Sequence, residues 1–139
     1  MTLTELYDLV GQHALSKINV RTYSKASPYV AWQSRETEYA AVAFTVERVT
    51  NTEEYQSVEC VLYWGDRLMQ DGSNWIGLQD NGMATLTAII NDLKEDDGIL
   101  DVESGYSIDF WNRGLSDFLA GAYARFSILL PLDNCITMA

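Results

Sequence analysis

The sequence predicts a single α+β domain, residues 1–139, in which an antiparallel sheet built on one long β-hairpin packs against two helices. Three observations predict it. Two runs of apolar–polar alternation lie between Tyr39 and Trp64, an apolar stripe at helical spacing follows them directly, and a second such stripe lies near the start of the chain.

Near that start, Leu6, Leu9, Val10, His13 and Leu15 recur close to helical spacing, so Thr4 to Leu15 reads as a first amphipathic helix with Thr2 or Thr4 as its cap. Ile18 to Tyr23 and Tyr29 to Gln33 are strand-like. Between them Pro28 interrupts ladder pairing, which places a loop or an edge strand there.

The central hairpin follows. Val42, Phe44 and Val46 share one face against Thr45 and Glu47; Val58, Cys60, Leu62 and Trp64 then oppose Ser57 and Glu59. This is the pattern of half-buried antiparallel strands, joined by the short polar connection Thr50 to Glu54. A hairpin of this kind needs a helix, more strands or a neighbouring subunit to be stable in water.

Asp71-Gly72-Ser73-Asn74 supplies turn chemistry and an N-cap. Met83, Leu86, Ile89, Ile90 and Leu93 form the second stripe. Gly77 and Gly82 weaken its first turns, so the helix is expected to begin properly near Asn81 or Gly82; Gly98 ends it. Ile99 to Val102 and Tyr106 to Phe110 are short apolar alternations around a Glu103-Ser104-Gly105 turn. Trp111 to Phe118 reads as a connector, and Ala120 to Leu130 as a last strand that Pro131 stops.

With 47% apolar and 21% charged residues the chain is globular and large enough for a core without metal or disulfide staples. No apolar run is long enough to span a bilayer, and Met1-Thr2-Leu3-Thr4-Glu5 lacks the basic segment of a signal peptide. Use in a cytoplasm, or in an assembly built there, is expected. Cys60 and Cys135 read as reduced packing residues. The net charge of -11 argues against phosphate-backbone affinity, and it also suits plain solubility.

Little in the sequence points to catalysis. His13 is the only histidine, and short Cys/His ligand spacings are absent, so neither a metal nor a cofactor is expected. Glu95-Asp96-Asp97 lacks the alternating ligands of a calcium loop and reads as a solvated helix end. No Gly-Lys-Ser/Thr element follows a strand. Four Trp and eight Tyr offer interface anchors: Trp64 is expected in the core, whereas Trp32, Trp75 and Trp111 lie in or beside connectors.

The run Val61-Leu62-Tyr63-Trp64-Gly65-Asp66-Arg67-Leu68-Met69-Gln70-Asp71-Gly72-Ser73-Asn74, leading to Gln79 and the helix Met83 to Leu93, resembles a pattern in small tail and neck proteins of phages infecting Bacteroidota, including crAss-like phages. Phe118 to Ile128 resembles the ending of the same group. The element order is also similar to that of tail-terminator and tail-completion proteins. The resemblance implies a tail-terminator-like fold and a non-enzymatic structural protein of the virion, assembled in the host cytoplasm. It implies a homo-oligomeric ring, commonly hexameric, that joins other neck or tail proteins and lets DNA pass its lumen without specific binding.

Interface candidates are Asp66, Arg67, Asp71, Asn74, Trp75, Trp111, Arg113 and Arg125. Arg67 is expected to pair with Asp66, Asp71 or an acidic residue of a neighbour. A small protein-binding adaptor outside virions is the alternative, and an enzyme a more distant one.

Overall fold

A computed structural model describes residues 1–32, 37–103, 105–112 and 118–136. In chain order these form α1 (Leu3–Leu15), β1 (Thr22–Ser24), α2 (Pro28–Ala31), β2 (Ala41–Asn51), β3 (Tyr55–Arg67), α3 (Trp75–Lys94), β4 (Asp101–Val102), β5 (Ile108–Asn112), β6 (Leu119–Pro131) and a 3-10 turn, Leu132–Asn134. The fold is α+β, as the alternation and helical stripes predict. One sheet runs β1-β2-β3-β6-β4, and β5 pairs with β6 beside β4. Only the β1–β2 pairing is parallel.

The hairpin is the spine of this sheet. Phe44 opposes Leu62 and Val42 opposes Trp64, so the apolar sets of both strands share one face, and a bulge between Val46 and Arg48 shifts the register towards the tip. Thr52 closes the tip: its hydroxyl accepts from the Tyr55 N–H and donates to the Tyr55 carbonyl. β6 then lies along the whole of β3, from Tyr55 opposite Pro131 to Arg67 opposite Leu119. That pairing turns an unstable hairpin into a three-stranded core.

Both long helices cover one face. From α1 come Leu6, Val10 and Ala14; from α3, Leu78, Leu86, Ile89, Ile90 and Leu93; the sheet supplies Val42, Phe44, Leu62, Trp64, Ala122, Ala124 and Ile128. Burial of this apolar surface is the main stabilising term. Thr2 caps α1 in a reciprocal box with Glu5, which selects Thr2 over Thr4. Trp64 fills the space under α3 and donates its indole N–H to the Asn19 carbonyl. A Cβ on Gly82 would stand 3.0 Å from both Ala122 Cβ and the Trp64 ring, so this glycine lets helix and sheet approach closely.

Several sequence expectations need correction. α3 begins at Trp75, not near Gly82, because the cost of Gly77 and Gly82 in a helix is outweighed by burial of Leu78 and by the close approach at Gly82. In place of a strand from Tyr29 there is the short helix α2 with Pro28 in its first turn, where a missing N–H costs nothing. Gln33 lies outside the described residues. The strand expected over Ile18 to Tyr23 occupies Thr22–Ser24, and Ile18 is exposed. Met83 faces solvent. β4 and β5 both pair with β6, and β5 takes in Trp111 and Asn112 from the expected connector.

Candidate assembly interface

Where β3 ends, a short loop turns the chain into α3, and side chains hold that loop in one shape. Asn74 sits at the N-cap, but its side chain does not cap the helix. Instead its carboxamide bridges the loop: Oδ1 accepts from the Met69 N–H at 2.8 Å and Nδ2 donates to the Arg67 carbonyl at 2.9 Å. Asp71 accepts from the Ser73 N–H, and this backbone hydrogen bond, followed by one to the Ser73 side chain, lowers its pKa. Gly72 takes the left-handed φ of 74° that the turn requires.

Asp66 accepts a hydrogen bond from the Arg67 N–H at 2.7 Å. The Arg67 guanidinium forms no ion pair among the described residues; it lies 5.4 Å from the centre of the Tyr39 ring and 5.7 Å from that of Phe118. Within the chain, Arg67 thus makes cation–π contacts in place of the expected pair with Asp66 or Asp71. Leu68 donates its N–H to the Phe118 carbonyl, fastening the loop to the start of β6.

Trp75 is partly buried against the main core and meets the Phe110 ring edge-on at 6.5 Å. Four exposed hydrophobic side chains surround this junction: Met69, Ile76, Phe110 and Phe118. Met69 contacts Ser73 in the loop and Phe110 meets Trp75 on the helix-covered face, while Phe118 meets Arg67 on the other face.

Trp111 belongs to a second apolar cluster, on the sheet face away from α1 and α3, with Trp32, Ala41, Ala43 and Leu119. The two indole rings stand 6.0 Å apart over Gly65. Trp32 is 3% exposed, so it is a packing residue and not the surface anchor that its neighbours in sequence suggest. The indole N–H groups of Trp32 and Trp111 are buried without an acceptor among the described residues. Further along this face Arg125 pairs with Glu47 at 3.1 Å, well away from the junction. The interface candidate Arg113 lies outside the described residues.

The candidates therefore divide. Asp66, Arg67, Asp71, Asn74 and Trp75 come together at the β3–α3 junction, Trp111 packs beneath it on the second face, and Arg125 belongs to a separate charged row. Sequence reasoning missed Phe118, Tyr39 and Phe110 as partners of the junction, because their proximity depends on β5 and β6 folding back beside β3.

Among the described residues no three His, Cys, Asp or Glu side chains stand together as a metal site. His13 meets Asp96 at 3.2 Å, linking the ends of α1 and α3. Burial pushes the Cys60 thiol well above its usual pKa, and it donates to the Phe126 carbonyl as a packing residue would. No described helix is long and apolar enough to cross a membrane. No protein-family model and no curated protein sequence matches the chain.

Proposed function

We propose that this chain is a structural subunit that assembles into a ring, of the kind that tail-terminator or connector proteins form in the neck or tail of a tailed phage. The observation that carries the reading is the β3–α3 junction: a loop fixed by the Asn74 carboxamide, with Met69 and Ile76 exposed along it, Phe110 exposed beside Trp75, and Phe118 exposed beside the Arg67 guanidinium. Exposed apolar side chains around a rigid, aromatic- and Arg-bearing element form the anatomy of a protein interface. Ordering such a surface at assembly costs little entropy, because the loop is already held.

The hairpin adds reach. From Glu47 to Glu54 every residue is exposed, so the tip projects past the helices and is available to a neighbouring subunit or layer. A contact between two different patches of the same chain closes into a ring when its rotation closes. In that setting the net charge of -11 would repel phosphates and let DNA slide through a lumen without being gripped.

Sedimentation velocity across a concentration series tests the reading. Ile76 is 72% exposed, so Ile76→Glu leaves the fold intact and is expected to shift the protein towards the monomer. Unchanged association by Ile76→Glu and Arg67→Ala together would remove the junction as the contact.

A further inference from the structure

Beyond the junction, a hollow of about 210 Å³ opens at the edge of β6, between its pairings with β5 and β4. Its floor is set by register. Glu59 stands directly opposite Ser127 across β3 and β6, Arg125 lies two residues before Ser127 on the same face, and Glu103 donates its N–H to the Ser127 carbonyl. Tyr106 forms one wall, its ring tilted against Phe126 at 6.2 Å.

The charges here do not balance. Arg48 pairs with Glu59 at 3.4 Å and Arg125 with Glu47 at 3.1 Å, which leaves Glu103, among the described residues, as a third carboxylate against two guanidinium groups. Ser127 is 8% exposed, lines the hollow, and its hydroxyl makes no hydrogen bond to another described residue. An acceptor oxygen left over beside one unmatched negative charge and an aromatic ring is the complement of a single positive group carrying N–H donors. The volume is below the roughly 300–1,000 Å³ of drug-sized pockets and suits one side chain.

We propose that this hollow receives the cationic head of a lysine or arginine side chain presented by a partner protein. The ammonium or guanidinium group pairs with Glu103, donates to the Ser127 hydroxyl oxygen, and lays its alkyl stem along Tyr106. Glu59 and Arg125 keep their own partners and shape the rim. The site is separate from the Arg67–Trp75 junction, so it stands whether or not the chain forms a ring.

Titration of the full chain with Nα-acetyl-lysine methylamide, followed by amide NMR shifts, tests it. Saturable shifts are expected at Glu59, Glu103 and Ser127, with binding at least about fivefold weaker for the norleucine analogue and for Glu103→Gln. Tyr106→Leu keeps every charge and is expected to weaken binding as well, which covers the case where Glu103→Gln disturbs the fold. Shifts spread over the whole acidic surface, or equal binding of the norleucine analogue, would overturn the proposal. Spermidine binding far tighter than the lysine probe would assign the hollow to free polyamines and overturn a protein side chain as its occupant.

Discussion

Gly121 stands directly opposite Gly65 across β3 and β6, and the backbone passes so closely there that a Cβ on Gly121 would lie 1.9 Å from the Trp64 carbonyl oxygen. A Cβ on Gly65 would lie 2.6 Å from the Trp32 ring. This glycine pair lets Trp64 fill the main core while Trp32 and Trp111 cover the other face. The Trp64-Gly65 step thus serves two cores at once.

Gly121→Ala is expected to cost at least about 3 kcal/mol, because the clash is with backbone that cannot rotate away. Gly77→Ala is its control: nothing lies within 4 Å of the added Cβ, and it is expected to stabilise the helix by about 0.5 kcal/mol. Urea denaturation of the two variants checks both signs.

Asn74→Ala removes the two hydrogen bonds that bridge Met69 and Arg67, and is expected to cost about 1–2 kcal/mol. Asn74→Asp does not rescue it, since the carboxylate keeps an acceptor for Met69 but places a second oxygen against the Arg67 carbonyl. Recovery of wild-type stability by Asn74→Asp in thermal melts would show that the donor half of the bridge is dispensable.

How far the sequence reaches is clear from these residues. Alternation along β2 and β3 and the stripe in α3 need only local spacing, and they place the hairpin, the body of the second long helix though not its start, and the burial of Trp64. The junction was legible in part: Asp71, Gly72 and Asn74 carry turn chemistry on their face. What Asn74 bonds to depends on the exact shape of its own loop, whereas the reason that Gly65 and Gly121 are glycines depends on β6 returning beside β3 from more than fifty residues away. Trp32 was misplaced for the same reason, because its floor is made by distant glycines. From Tyr29 to Ala31 a helix stands where a strand is expected, because α2 is too short for periodicity to show.

Gln56 is 3% exposed and clamps the C-terminal segment, accepting from the Ile136 N–H at 2.6 Å and donating to the Asn51 side chain and the Ile136 carbonyl. Gln56→Leu is expected to cost about 2 kcal/mol, by leaving those backbone groups without partners. Hydrogen exchange at the Ile136 amide would rise sharply, and unchanged protection there would contradict the clamp.

Stability is expected to fall on the alkaline side. Burial, then the neighbouring Tyr7 and Asp8, raises the pKa of Tyr23 above its ordinary 10.0, and burial raises Cys60 above 9.0. Both groups bind their proton more tightly when folded, so their contribution is fully present below about pH 9 and is lost as pH rises through the folded values. Tyr23 also donates its hydroxyl to the Tyr7 carbonyl at 2.6 Å, a bond that the phenolate cannot make. Tyr23→Phe is expected to be less stable at neutral pH and to show a shallower alkaline decline in equilibrium unfolding.

The most direct measurement of the central claim is an electron-microscopy map of the native assembly recovered through an affinity tag on this chain. The expected result is a closed ring of copies of the chain, stacked on other protein layers, with the Arg67–Trp75 junction buried between neighbouring subunits. Recovery of the chain as a lone subunit, or in a complex without rotational repetition, would contradict it.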